Sequence, residues 1–210
     1  MHRLIAFVGC KASGKNTAAE ALYPYGFVPL SFADALKDAL AAIFCWDRVM
    51  LEGITEESRA WRERVDSWWA AKLAIPHFTP RWALMNVGTD VMRRHLHNDI
   101  WVFNVERRMA LLDNDTSVVL VDGRFPNEIA LAHRHGGRVI CIDRGKPEWF
   151  SLAVLANWHA SSEVRQHMQA MLVALGVHSS EYSWIGSRTD QIIHNDGTIN
   201  ELHAKVRRLL

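Results

Sequence analysis

The chain has little of what marks a secreted, membrane-spanning or strongly charged protein. Its 210 residues hold three cysteines, Cys10, Cys45 and Cys141, with no CxxC spacing between them. Such an odd, scattered set builds neither a disulfide framework nor a metal knuckle, and it points to reduced thiols and a cytoplasmic setting, that of the host cell if the protein is viral. No apolar run reaches the ~18 residues that span a bilayer, so no membrane partner is expected. The short apolar stretch of "MHRLIAFVGC" runs into a glycine turn and reads as a first strand rather than a signal peptide. An excess of one charge is also missing, because 24 Lys and Arg face 23 Asp and Glu for a formal net charge of +1. That balance removes the bulk electrostatic case for tight nucleic-acid or membrane binding and leaves room only for a local basic cleft. Repeats of domain scale are absent; "HASSE" (159–163) and "HSSE" (178–181) are a short echo.

What is present suits one α/β domain with an inserted helical part. Hydrophobic residues make up 49% of the chain, enough for a packed core. Compact apolar runs predict strands at 4–8, 27–30, 118–121, 139–142 and 191–194. Helical periodicity predicts helices at 15–22, 32–44, 57–73, 81–96, 100–112, 126–135 and 199–210, with a broken helical stretch across 146–186. Strands alternating with helices indicate a parallel sheet covered on both faces. The core is expected at 1–45 and 113–210, an acceptor-binding insert at about 46–112, and a lid at about 145–187. The nine tryptophans are many for this length. Most are expected in the core, with a few left to form a stacking wall for a base.

"FVGCKASGKNTAAEAL" carries the strongest local chemistry. Gly9, Gly14 and Lys15 satisfy G-x-x-x-x-G-K between a strand and a helix, where loop amides turn inward to hold an oxyanion. Lys11, Ala12 and Ser13 complete the loop, and Lys15 brings a mobile charge to the β- and γ-phosphates. Asn16 stands where Ser or Thr usually holds magnesium. Its carboxamide can reach the metal through water or serve as a cap, with Thr17 one position later. "GKNT" therefore points away from Ras-like GTPases and towards nucleotide kinases.

"VVLVDGRFPNE" (118–128) is the second element. Asp122 ends a buried strand where an acid orients magnesium or its waters, and Arg124 projects into the cleft at the sheet's carboxyl edge, shaped to grip a phosphate. Glu128 is divided evenly between capping and function. In "SFADALKDAL", Ser31 reads as a helix N-cap, and Asp34 and Lys37 either pair on the surface or line an acceptor site. In "RWALMNVGTDVMRRHLHNDIW", Gly88 suggests a kink or a close approach. One of Arg93 and Arg94 is expected to bind the acceptor phosphate and the other to face solvent. Trp82 and Trp101 stack on a base or fill the core. Arg144 and Arg165 are candidates to screen the transferred phosphoryl group, and Asn195 is a hydrogen-bonding candidate beside the donor base. His159 and His178 read as solvated or capping residues.

In this order, "VGCKASGKNTAAEAL", "SFADALKDAL", "VGTDVMRRHLHNDIWV", "VVLVDGRFPNEIALAHRHGGRVICIDR" and "IIHNDGTINELHAKV" resemble the phage-type deoxynucleoside monophosphate kinases of the P-loop nucleotide kinase superfamily. The correspondence is weak at 46–78 and 147–177. The resemblance implies a nucleoside monophosphate kinase-like three-layer α/β/α fold with a five-stranded parallel sheet. It also implies transfer of the ATP γ-phosphate to a deoxynucleoside monophosphate for phage DNA synthesis, with Mg2+. Asp90, in "GTD", and Met85 fall in the expected acceptor region; many members carry Gln at the Met85 position, so base selection departs from the pattern. Members commonly carry Asp at the Asn16 position. The lid's "HxSE" motif matches either 159–163 or 178–181. The alternative acceptor is 5-hydroxymethyluracil in phage DNA, which the near-neutral charge disfavours. A homodimer stays open.

Overall fold

The computed structural model describes residues 3–210. They form two compact units, one of residues up to Ser31 together with Val105–Leu210 and one of Phe32–Asn104.

The first unit is built around β1 (Leu4–Val8), which is apolar and buried at every position. A strand with no polar face needs neighbours on both edges and cover on both faces. β1 pairs in parallel with β3 (Ser117–Gly123) and β4 (Arg138–Asp143). β2 (Phe27–Leu30) and β5 (Gln191–His194) lie outside these, giving the order β2-β3-β1-β4-β5. Ile5 and Phe7 pack with α1 (Lys15–Glu20) and α11 (Ile199–Arg207) through Ala18, Leu22, Leu202 and Val206. Leu4, Ala6 and Val8 point to the other face, which α7 (Pro126–Arg134) covers. The result is the expected three-layer α/β/α arrangement with a five-stranded parallel sheet.

Between β1 and β3 the register slips. Ala6 is opposite Leu120 but Val8 is opposite Gly123, so β3 carries one extra residue at Val121–Asp122. Such irregularities re-aim side chains beside functional sites. β3 therefore runs past the expected 118–121 and carries Asp122 within the strand. The stretch expected to be broken helix contains α8 (Phe150–Trp158), α9 (Ser162–Ala174) and the short α10 (Ser179–Tyr182).

The second unit is helical, with α2 (Asp34–Phe44), α3 (Glu56–Glu63), α4 (Ser67–Leu73) and α5 (Pro80–Met85). α5 continues into a π-helical segment, Asn86–Leu96, followed by α6 (Ile100–Met109). An aromatic cluster holds the unit together. Phe44 lies 4.6 Å from Trp46, 5.0 Å from Trp69 and 5.2 Å from Phe78, and Trp82 lies 5.5 Å from Phe78. Trp46 and Phe78 are buried in this cluster, whereas Trp69 and Trp82 are half-buried at its edge.

Two helix expectations are corrected. The single helix expected over 57–73 is two helices, because the backbone turns extended at Arg64 and Asp66 restarts it. Asp66 Oδ1 accepts from the Trp69 amide at 3.1 Å, capping α4, and Oδ2 accepts from the Trp46 indole at 2.8 Å. Periodicity registers the shared apolar face but not the cap that interrupts it. The single α-helix expected over 81–96 changes to π-helix at Asn86. Gly88 there makes the close approach its position suggests: a Cβ would stand 2.6 Å from Leu36 Cδ2, and its carbonyl accepts from the buried Trp101 indole at 2.9 Å. Asp66→Ala removes a cap and a buried indole's acceptor together, so we expect a loss of about 2–3 kcal/mol in urea unfolding. Asp66→Asn, which keeps the capping oxygen but sets an NH2 donor against the Trp46 indole, should recover less than half of it.

Candidate active site

The loop after β1 bends as its glycines require. Gly9 has φ +146°, Ala12 +62° and Gly14 +97°. Gly9 is also sterically required, since a Cβ would stand 2.4 Å from the Ile142 carbonyl oxygen on β4. The Ser13 amide donates to the Cys10 carbonyl at 3.2 Å and closes the turn. Ser13 is buried, and its hydroxyl has no hydrogen-bond partner among the described residues. An unsatisfied buried hydroxyl within a loop of inward-turning backbone suits an anionic oxygen as its partner.

Lys15 opens α1, and its ammonium donates to the carbonyls of Gly9 at 2.8 Å and Cys10 at 2.9 Å. Burial pushes its pKa down to about 8, and the Arg124 guanidinium adds to the fall. Glu181, the Cys10 thiol and Asp122 pull the other way. Burial raises the Cys10 thiol, and raises Cys141 on β4 to about 11, so neither is a ready nucleophile.

Asp122 Oδ2 accepts from the Ser31 hydroxyl at 2.6 Å. The N-cap expected of Ser31 is thereby corrected: α2 begins at Asp34 with Ala33 before it, and Ser31 is buried against the strand acid instead. Arg124 follows β3 and reaches Glu181 Oε1 at 3.3 Å. Its backbone amide, with that of Phe125, donates to Glu128 Oε2 at 2.7 and 3.1 Å. Glu128 is 3% exposed. It therefore caps α7 and sets the turn that carries Arg124, as its capping reading expects.

Glu181 is the site residue that the sequence reading missed. It sits on α10, whose start His178 caps by accepting from the Ser180 amide at 3.3 Å. The available signal was the "HxSE" echo: the copy at 178–181 stands beside Lys15 and Arg124. In the other copy, His159 and Ser161 belong to the start of α9, where Arg165 donates to the carbonyls of His159 at 2.5 Å and Ala160 at 3.0 Å.

Asn195 is buried, and its amide turns onto the loop backbone, donating to the Ser13 carbonyl at 2.8 Å. The Thr17 carbonyl accepts from His203 of α11 at 2.8 Å. Asn16 and Lys11 are exposed, and Arg144 is exposed one residue past β4.

The remaining candidates lie in the helical unit. Arg93 is buried and donates to the Asn98 carbonyl at 2.8 Å, whereas Arg94 is exposed and pairs with Asp90 at 3.2 Å. Within the unit one of the two arginines is thus buried and the other faces solvent. Asp34 and Lys37 do not form the simple surface pair. Lys37 bonds Glu52 at 2.6 Å, and Arg48 reaches Asp34, Asp38 and Glu52. Met85 is half-buried, and the Asn86 amide folds back onto the Trp82 carbonyl at 3.0 Å.

No protein-family model matches the chain. A protein of Acanthamoeba polyphaga mimivirus, named as a candidate deoxynucleotide monophosphate kinase, is 34% identical over 152 residues, covering 67% of this chain and 74% of its own. Among solved structures, a dephospho-CoA kinase from Campylobacter jejuni aligns over 100% of this chain and 96% of its own, at 15% identity and a TM-score of 0.44. A gluconokinase from Sinorhizobium meliloti 1021 aligns over 99% and 93%, at 14% identity and a TM-score of 0.40.

Anion binding at the loop favours the ammonium form of Lys15, so above about pH 8 binding takes up a proton. Calorimetry with inorganic tripolyphosphate in magnesium-free buffer should show affinity falling by up to about tenfold per pH unit above that point. The proton uptake should vanish in Lys15→Met.

Proposed function

Because the chain belongs to the deoxynucleotide monophosphate kinase family, we propose that this phosphotransferase moves the γ-phosphate of ATP to a deoxynucleoside monophosphate, supplying diphosphates for viral DNA synthesis. The observation that carries the reading is the convergence of Lys15 and Arg124 with the carboxylates of Asp122 and Glu181 around the 9–14 loop. Cations suited to phosphate there stand beside an acid suited to a hydrated metal.

Lys15, the loop amides and the Ser13 hydroxyl hold the donor's phosphates. Arg124 and Arg93 hold the acceptor phosphate, and one of its oxygens attacks the γ-phosphorus in line as the bond to the β–γ bridging oxygen breaks. ADP leaves with that electron pair. Arg144, one residue past β4, screens the charge on the moving phosphoryl group. Arg165 is the second candidate for that task, but its guanidinium is engaged at the start of α9. Positioning and electrostatics supply the rate, since phosphoryl transfer asks for little covalent chemistry from the protein.

The residues present fit Mg2+ carried in by the nucleotide. Among the described residues no three His, Cys, Asp or Glu side chains cluster to hold a metal. Asp122 offers one carboxylate oriented by Ser31, and such a sparse donor set suits Mg2+ bound mainly through water and phosphate oxygens. Asp122, Thr17 and Asn16 would hold it, and it would draw negative charge off the phosphates.

The helical unit takes the acceptor, with Asp34, Lys37, Trp82, Met85 and Asp90 near its base and sugar. Between residues 32 and 104 it has nine Lys and Arg against ten Asp and Glu. That balance gives little electrostatic hold on DNA phosphates and favours a free nucleotide.

Assays with ATP and each deoxynucleoside monophosphate, run beside DNA containing 5-hydroxymethyluracil, test the reading. Phosphate transfer to free nucleotides is expected, and transfer to DNA alone would overturn it. Lys15→Ala should lower kcat/KM by about 10²–10⁴-fold, the scale of losing one oriented charge at the transition state, while Asn16→Asp should keep transfer. Arg93→Ala should raise the acceptor KM by about tenfold or more, the scale of a lost charged hydrogen bond, whereas Arg94→Ala should stay within about twofold, as expected of an exposed pair.

A further inference from the structure

The carboxyl-terminal segment grips the phosphate loop. Asn195 follows β5, and its backbone amide donates to the Asp143 carbonyl at 2.7 Å, carrying the β4–β5 pairing one residue past His194. Its main chain is thus tied to the sheet. Its side chain, 7% exposed, delivers Nδ2 to the Ser13 carbonyl at 2.8 Å. Ser13 lies just before Gly14, whose carbonyl accepts from the Ala18 amide in the first turn of α1. A buried carbonyl at a helix start that the helix does not satisfy needs a donor from elsewhere.

The contact is tight. A Cβ on Gly14 would stand 2.5 Å from Asn195 Nδ2 and 3.6 Å from Leu202 Cδ2. Further along α1, His203 donates to the Thr17 carbonyl at 2.8 Å. Two donors from residues 195–203 therefore meet the loop–helix junction.

The direction of the Ser13 carbonyl matters to the loop's chemistry. Carbonyl and amide of one peptide unit point opposite ways. Holding the Ser13 oxygen outward therefore aims the Gly14 amide away from Asn195, into the turn. An anion-binding loop works only if its amides converge and its carbonyls are kept out.

We propose that Asn195 is a positioning residue for the donor site: its carboxamide fixes the Ser13–Gly14 peptide so that the loop amides converge on a polyphosphate. This rests on the kinase reading and assigns Asn195 a task different from hydrogen bonding to the donor base. Asn195→Asp is the sharpest substitution, because it keeps the shape, removes the donor and sets a carboxylate against a carbonyl. Asn195→Ser removes the reach with little change of charge.

The experiment measures binding of inorganic tripolyphosphate and of ATP by calorimetry on both variants, with circular dichroism and the acceptor KM alongside. Tripolyphosphate has no base, so it reports on the loop alone. We expect both ligands to weaken by the same factor, about tenfold or more for Asn195→Asp, with a native spectrum and an acceptor KM within twofold of wild type. Loss of ATP affinity with unchanged tripolyphosphate affinity would mean that the side chain contacts the base, and would overturn the proposal. Unchanged affinity for both ligands, or unfolding of both variants, would overturn it equally. A wild-type protein that binds neither ligand would instead sink the kinase reading on which the proposal stands.

Discussion

A half-buried ammonium constrains this protein more than any other group. Lys15 is partly withdrawn from water, where a charge is costly unless its surroundings replace the lost hydration. The replacement comes from four directions: two carbonyls of its own loop, the strand acid Asp122 and the α10 acid Glu181. Each is placed by a different part of the first unit. The β3 register slip carries Asp122, Ser31 orients it, and the cap at His178 sets the start of Glu181's short helix. Arg124 works against this balance by adding a second cation, and Glu181 answers both. Two cations and two acids thus balance formally within the site, and the pairing leaves each cation beside a carboxylate.

Much of this was legible in the sequence, for identifiable reasons. The loop from Gly9 to Lys15 is encoded by contiguous residues whose backbone demands are local, and β1 ends where its apolar run ends. The same holds for the different burial of Arg93 and Arg94, which helical geometry forces on adjacent residues. What could not be read depends on partners distant in sequence. Ser31 looks like a cap because Ser before a helix usually is one; its bond to Asp122 crosses 91 positions. Glu181 belongs to a motif that occurs twice, and only the fold tells which copy stands beside the loop. Asn195 was legible as polar and adjacent to the site, but the direction of its amide was not.

The helical unit shows the opposite balance between pattern and packing. Its tryptophans, which a nucleotide-binding reading could claim for base stacking, chiefly satisfy one another through tilted and edge-on contacts. Helix periodicity located its segments but missed both interruptions. One is a cap that also serves as an indole acceptor, and the other is a change of helical pitch at Asn86. π-helical stretches leave carbonyls differently paired and are frequent at functional sites. Here the Gly88 carbonyl accepts from Trp101.

The bond between Asn195 and Ser13 joins positions 182 residues apart. A chain made from its amino end completes the loop 182 residues before its strut, an interval of roughly 10–40 seconds at the usual 5–20 residues per second. Throughout that interval the Ser13 carbonyl lacks its native donor, and β4 lacks the edge strand that carries it. On the task proposed for Asn195, the loop amides are held in convergence only once β5 and α11 have closed on the sheet.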